Sequence, residues 1–274
     1  VPRAFRGTQH QLEVRIMADT NPFQKQAAIP GVKSIIAITS GKGGVGKSTL
    51  AANLALALAK EGKAVGLLDC DIYGPSIPRL FGAINQKPEV NEAGKILPIV
   101  RFGIKLMSIG FLIDEGAAVV WRGPMLFKAV DQFLHDVQWG DLDFLLVDMP
   151  PGTGDVQLTL AQKVPLAGAI SICTPQNLAL IDVKKSIDMF SRVNVPLIGM
   201  VENMAYLQHG DQKIELFPRG EIDAYLDKNK IKKLASLPFY PSVAKASETG
   251  IPVMEYAPQS EEAQAFRQLA KALL

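Results

Sequence analysis

Gly41-Lys42-Gly43-Gly44-Val45-Gly46-Lys47-Ser48-Thr49 is the stretch on which the fold turns. Two glycines flank four residues and are followed by Lys and Ser, the spacing of a phosphate-binding P-loop. The chemistry explains the spacing. Without side chains in the way, backbone N–H groups can turn inward and cradle phosphate oxygens. A helix beginning near Gly46 points its partial positive charge at the same anion. Lys47 can then reach the β- and γ-phosphates of a nucleotide, and the Ser48 hydroxyl can coordinate Mg²⁺. The flanks supply the context that the motif needs. Residues 34–40, Ser-Ile-Ile-Ala-Ile-Thr-Ser, read as a buried strand, and 50–59 are rich in Ala and Leu, good helix formers. The helix is expected over 46–61, with Gly62 as its C-cap.

Working outward, short apolar runs alternate with helical patterns from Val32 to the C-terminus, the mark of repeated βαβ units. Strands are expected at 34–40, 64–69, 144–148, 169–173 and 197–201, with a weaker one at 233–238. Most are apolar without alternation, as strands buried on both faces are. Runs at 96–100 and 104–109 flank Arg101-Phe102-Gly103 and read as a hairpin or an added edge ribbon. Helices are expected at 46–61, 124–137, 157–162, 178–192 and 260–273. The segment 215–233 reads as a solvated helix with flanks. The fold class is therefore α/β, a doubly wound, mostly parallel sheet.

Carboxylates stand at the ends of two of these strands, in Leu67-Leu68-Asp69-Cys70-Asp71 and in Phe144-Leu145-Leu146-Val147-Asp148. Strand C-termini line the ligand crevice of an open α/β sheet, so both sets should converge on the P-loop. Asp148 is the candidate Mg²⁺ ligand, and Asp71 the candidate for orienting the attacking water or joining the metal. Asp69 would support the metal by holding its ligands in place. Met149-Pro150-Pro151-Gly152-Thr153-Gly154-Asp155 is stiff at one end and free at the other, a loop able to sense the γ-phosphate. Asp155 is a candidate helix cap. Lys42 has two readings, a solvated loop residue or a charge reaching a phosphate, including one held by a neighbouring subunit.

Composition narrows the rest. The chain has 274 residues and a formal net charge of +2, which gives no global field for nucleic acid or membrane. Cys70 and Cys173 are its only cysteines, too few for a disulfide framework, so a cytoplasmic setting is expected. No run approaches the ~20 apolar residues of a membrane span. Residues 1–31 read as an N-terminal arm or the remnant of a small upstream domain, and 12–18 as its one strand-like run. Residues 32–274 read as the ATPase domain. His10 and His135 have no partner legible in sequence.

The P-loop with its extra Lys42 resembles the deviant Walker A motif of the MinD/ParA class. Asp69-Cys70-Asp71-Ile72-Tyr73-Gly74-Pro75-Ser76, Trp121-Arg122-Gly123-Pro124, the segment from Asp148 to Asp155, and Val201-Glu202-Asn203-Met204 together resemble the Mrp (ApbC, Nbp35-like) family of iron–sulfur cluster carriers. The resemblance implies an ATP- and Mg²⁺-dependent homodimer that hydrolyses ATP slowly. Lys42, Lys47 and Asp71 would be its catalytic groups, and Lys42 would contact phosphate across the interface. Gly41, Lys42, Gly43, Gly44, Val45, Gly46, Lys47, Ser48 and Thr49 would hold the nucleotide. Asn203 would meet the adenine, Ser48, Asp148 and Asp71 would hold Mg²⁺, and Pro150 to Asp155 would be the second switch. Pro238-Phe239-Tyr240-Pro241 resembles the loop that packs near the base, though a plain turn fits as well. Trp121 and Arg122 would either line the dimer face or pack. Apo iron–sulfur proteins or assembly factors are the implied partners.

One departure stands out. Family members usually carry Cys-x-x-Cys shortly after Glu-Asn-Met, and the two pairs of a dimer hold a [4Fe–4S] cluster. Here Ala205-Tyr206-Leu207-Gln208-His209-Gly210-Asp211-Gln212-Lys213 follows, without a cysteine. No iron–sulfur ligand is identified. Three functions are thus in play: an Mrp-type cluster carrier, an Mrp-like nucleotide-switched scaffold without a cluster, and a MinD/ParA-like positioning ATPase. The last lacks the basic membrane helix or basic patch it would need, since residues 260–273 read as a helix packed on the sheet.

Overall fold

The computed structural model describes residues 28–71, 74–112, 123–209, 212–218 and 220–274. The run at 12–18, His10, Ile72, Tyr73, Trp121 and Arg122 lie outside the described residues, as does the side chain of Asp155.

Among the described residues, eight strands form one sheet in the order β10-β7-β6-β1-β5-β2-β4-β3. The central strands are β1 (Val32–Ser40), β5 (Leu142–Asp148) and β6 (Gly168–Cys173). Toward one edge lie β2 (Val65–Asp69), β4 (Ile104–Ser108) and β3 (Ile99–Arg101), and toward the other β7 (Leu197–Asn203) and β10 (Lys233–Leu237). Every neighbouring pair is parallel except β3 with β4. The ribbon expected around Arg101-Phe102-Gly103 is therefore fused to the main sheet, with β4 running parallel to β2.

Helices cover both faces. They are α1 (Lys47–Lys60), α2 (Ile77–Leu80), α3 (Gly123–His135), α4 (Asp155–Lys163), α5 (Asn177–Arg192), α6 (Ile222–Asn229), α7 (Pro241–Thr249), α8 (Val253–Tyr256) and α9 (Glu261–Lys271). The pleat of β1 shows how a run without polar alternation serves two cores. Ile36 and Ile38 pack with Leu50, Leu54 and Leu58 of α1 and with Phe266 and Leu269 of α9. Ile35 and Ala37 pack with Phe133 and Leu134 of α3, Leu160 of α4 and Phe190 of α5.

Several local expectations shift. Helix α1 is capped at Glu61, one residue before Gly62. The N-cap of α4 is Gly154, so Asp155 is its first residue rather than its cap. Among the described residues of 215–233, the helix covers α6 alone, and Lys233 already belongs to β10. Within the cysteine-free segment after Met204, β8 (Leu207–His209) pairs antiparallel with β9 (Gln212–Ile214), apart from the main sheet. His135 does have a partner: its Nδ1 lies 3.0 Å from the Asp131 carbonyl oxygen. Among the described residues no helix is long and apolar enough to cross a membrane.

Candidate functional site

The loop between β1 and α1 lies at the carboxyl edge of the sheet, where the parallel topology collects strand ends. Two glycines have identifiable reasons to be there. Gly46, the N-cap of α1, has φ 87°, a left-handed backbone, and a Cβ there would sit 2.5 Å from Asn203 Nδ2. Gly41 lies against the backbone of Asp182 and Val183 on α5, where a Cβ would collide. No side chain caps α1, and its first turn holds no acidic residue. The helix thus presents its N–H groups and partial positive charge to an anion. Ser40 Oγ donates to the Lys42 carbonyl (2.9 Å) and steadies the entry to the loop.

Carboxylates arrive from adjacent strands. Asp148 is register partner both to Ile38 of β1 and to Asp69 of β2. Lys47, 6 % exposed, donates to Asp148 Oδ1 at 2.6 Å and lies 3.6 Å from Asp71 Oδ2. Its Nζ is 3.4 Å from Ser48 Oγ. Burial works against the ammonium, yet Asp148, Asp71 and Asp69 outweigh it and raise the Lys47 pKa above the ordinary lysine value. Asp69 is fully buried. It accepts hydrogen bonds from the Asp71 N–H (3.0 Å), the Ile77 N–H (3.3 Å) and Ser108 Oγ (2.9 Å). Burial, and then the charge of Asp148, push its pKa up to about 7. Burial raises the Asp71 pKa too, against the pull of Lys47.

Two cavities meet at this edge. One of about 580 Å³ is lined by Lys42, Lys47, Ser48, Asp71, Ser76 and Pro151 together with the loop glycines. The other, about 560 Å³, is apolar, with Met204, Leu237, Pro238, Phe239, Tyr240 and Phe266 in its wall. Gly46 and Thr49 border both, and Asn203 stands at the join, its Nδ2 donating to the Val45 carbonyl (2.8 Å).

The structure thus brings together Lys42, Lys47, Ser48, Asp71, Asp148 and Asn203, which are scattered over more than half of the chain. Of Pro238-Phe239-Tyr240-Pro241, the first three line the apolar cavity and Pro241 opens α7. The bond from Ser40 to the Lys42 carbonyl and the place of Phe266 in the cavity wall had no signal in the sequence.

Metal and cluster chemistry separate here. Asp148 Oδ2 is buried with no hydrogen-bond partner among the described residues, an acceptor suited to a cation or to water on one. No three His, Cys, Asp or Glu side chains converge on a metal among the described residues. The donor set fits Mg²⁺, which is commonly held by one or two protein ligands and by phosphate oxygens. The cysteines fit a cluster badly. Cys70 is 1 % and Cys173 0 % exposed, and neither is in a disulfide. Burial, and then Asp69, raise the Cys70 pKa well above the ordinary thiol value, and burial pushes that of Cys173 up to about 12. Neither buried sulfur is open to a cluster, which several thiolates hold together.

Comparison with known proteins gives a consistent set of relatives. Residues 31–274 match the ParA family model described as NUBPL iron-transfer P-loop NTPase. The iron–sulfur cluster carrier protein of Aquifex aeolicus is 49 % identical over 255 residues, covering 92 % of this chain and 70 % of that protein. The protein of the same name from Escherichia coli K12 is 48 % identical over 256 residues, covering 93 % and 69 %. Among solved structures, the nucleotide-binding protein of Archaeoglobus fulgidus in complex with ADP is 40 % identical with a TM-score of 0.73, covering 84 % of this chain and 91 % of that one. The cell division ATPase MinD of Pyrococcus furiosus is 25 % identical with a TM-score of 0.65, covering 88 % and 98 %.

Proposed function

Because the chain belongs to the ParA family of NUBPL-type iron-transfer P-loop NTPases, we propose that it is an ATPase of iron–sulfur cluster assembly, binding ATP with Mg²⁺ and hydrolysing it slowly as a homodimer. The observation that carries this reading is Lys47, an ammonium held by Asp148 and Asp71 at the uncapped amino end of α1, with an apolar cavity alongside.

The residues divide the work. The backbone N–H groups from Gly41 to Thr49 receive the phosphates. Lys47 exchanges its carboxylate partners for phosphate oxygens, which releases Asp148. Ser48 and Asp148, with Asp71, would hold Mg²⁺, which when bound neutralises charge on the β- and γ-phosphates. Asp71 orients the attacking water. The adenine enters the apolar cavity beside Asn203. Lys42 reaches a phosphate of the partner subunit. Supporting a homodimer, Leu178 and Ile181 are exposed (67 % and 50 %) on α5, the helix on which Gly41 rests.

The cluster is the cargo. Relatives named as carriers favour delivery to apo iron–sulfur proteins or assembly factors, and two unpaired thiols suit a cytoplasmic setting. A second reading is favoured by the burial of both cysteines: the ATPase is a nucleotide-switched scaffold that holds no cluster through its own thiolates. For the ATPase itself, Lys47→Ala should abolish binding of a fluorescent ATP analogue while the fold persists. Undiminished affinity in that variant would remove Lys47, and this site, from the reading.

A further inference from the structure

Gln157 lies in α4, 1 % exposed, beside Leu160 and Ala161 of the core. A buried amide is costly unless it is hydrogen-bonded. Its Nε2 donates to the Pro150 carbonyl and to Thr39 Oγ1 (3.2 Å). Thr39 Oγ1 in turn meets Ser186 Oγ of α5 at 3.2 Å. Ser171 of β6 is the register partner of Thr39, so both side chains project to the same face of the sheet. A polar cluster of Thr39, Gln157, Ser171 and Ser186 therefore sits between the sheet and two helices, under the loop that follows Asp148. The cluster is not fully satisfied: Gln157 Oε1 and Ser171 Oγ are buried without hydrogen-bond partners among the described residues.

That loop is held at two points around Pro151, which lines the phosphate cavity. Gln157 takes the carbonyl of Pro150, and the carbonyl of Ser40 takes the N–H of Gly152 (3.0 Å). Neither Pro150 nor Pro151 has an N–H, so a carbonyl is the handle the backbone offers there. The second anchor, Ser40, also fixes the P-loop through its bond to the Lys42 carbonyl.

We propose that Gln157 is a positioning residue for ATP hydrolysis: its amide grips Pro150 and so sets residues 151–154 over the phosphate cavity without touching the nucleotide. An apolar residue of similar volume would be cheaper to bury, because a half-satisfied polar cluster stabilises a core poorly. The amide acts on the placement of the loop. This inference rests on the ATPase reading above.

The test is steady-state hydrolysis and equilibrium binding for the wild type, Gln157→Met and Thr39→Val. Gln157→Met keeps the volume and removes the donor, and Thr39→Val removes the amide's second anchor. In Gln157→Met, kcat should fall by roughly 10- to 100-fold, the scale of a misplaced catalytic element. The Kd for a fluorescent ATP analogue should stay within about threefold, the pattern of an interaction that matters only in the transition state. Amide exchange at 152–154 should quicken. Thr39→Val should show a smaller loss of kcat in the same direction, and it decides alone should Gln157→Met not fold. Folded variants with wild-type kcat overturn the proposal, as does a loss of kcat matched by an equal loss of affinity. A wild-type chain that hydrolyses no ATP overturns the parent reading and this one with it. A hydrolysing wild type beside equally active variants overturns this one alone.

Discussion

Asp69 illustrates how much one buried carboxylate can be asked to do. It ties the Asp71 N–H, the Ile77 N–H and Ser108 together and sits beside Asp148 on the next strand. The cost of this arrangement is visible in its pKa of about 7 against an ordinary 3.8. Between those two values the folded protein keeps a proton that the unfolded chain has released. Raising the pH through that window therefore removes stability, and above it the loss is complete. In nucleotide- and metal-free protein, the wild type should lose on the order of 2–3 kcal/mol relative to Asp69→Asn between about pH 5 and pH 8, at 1.36 kcal/mol per unit of pKa. Urea denaturation of both proteins at the two pH values measures it. Parallel pH dependence would mean that Asp69 titrates as an ordinary carboxylate.

At the scale of the element, α9 separates a packing helix from a surface-seeking one. Ala263, Phe266, Leu269 and Ala270 are buried in one core with Leu50 and Leu54 of α1, and Ser260 caps the helix by accepting from the Ala263 N–H (3.2 Å). Phe266 is 4 % exposed and also walls the apolar cavity. Phe266→Ala should cost about 3–5 kcal/mol in chemical denaturation, as large core truncations do. A helix docked only loosely on the sheet would lose less than ~1 kcal/mol, within the range of surface substitutions. The short elements at the carboxyl edge are less regular. Helix α2 has four residues and β8 and β9 three each, below the length at which hydrophobic periodicity can be read from sequence.

For the whole molecule, the open matter is the cargo. Relatives close to half identical are named iron–sulfur cluster carriers, yet no cysteine follows Met204 and both cysteines are buried. After anaerobic reconstitution with iron and sulfide, the chain alone should retain well under one [4Fe–4S] cluster per two chains, since such clusters are held by thiolates. Iron and acid-labile sulfide per chain, with the visible spectrum, decide it. A stoichiometric cluster would overturn the scaffold reading and send attention to Cys70, Cys173 and His209 as ligands.

Much of this protein is legible in its sequence alone. Gly41, Gly46, Lys47 and Ser48 carry their chemistry in local spacing, and a strand run before them with a helix former after them is a short-range pattern. The unbroken apolar strands likewise announced a sheet covered on both faces, because burial on two sides leaves no polar alternation. The identity of the carboxylates near Lys47 was suggested by strand ends, but their convergence needed β1, β5 and β2 to lie side by side, a pairing of segments far apart in sequence. Only the tertiary structure decided that the ribbon at 99–108 joins the main sheet, that Phe239, Tyr240 and Phe266 share one cavity, and that Gln157 reaches Pro150 and Thr39. Those relations depend on long-range packing, which leaves no periodicity in the chain. The absence of a Cys pair was plain in the sequence. That Cys70 and Cys173 are both buried was settled by the fold.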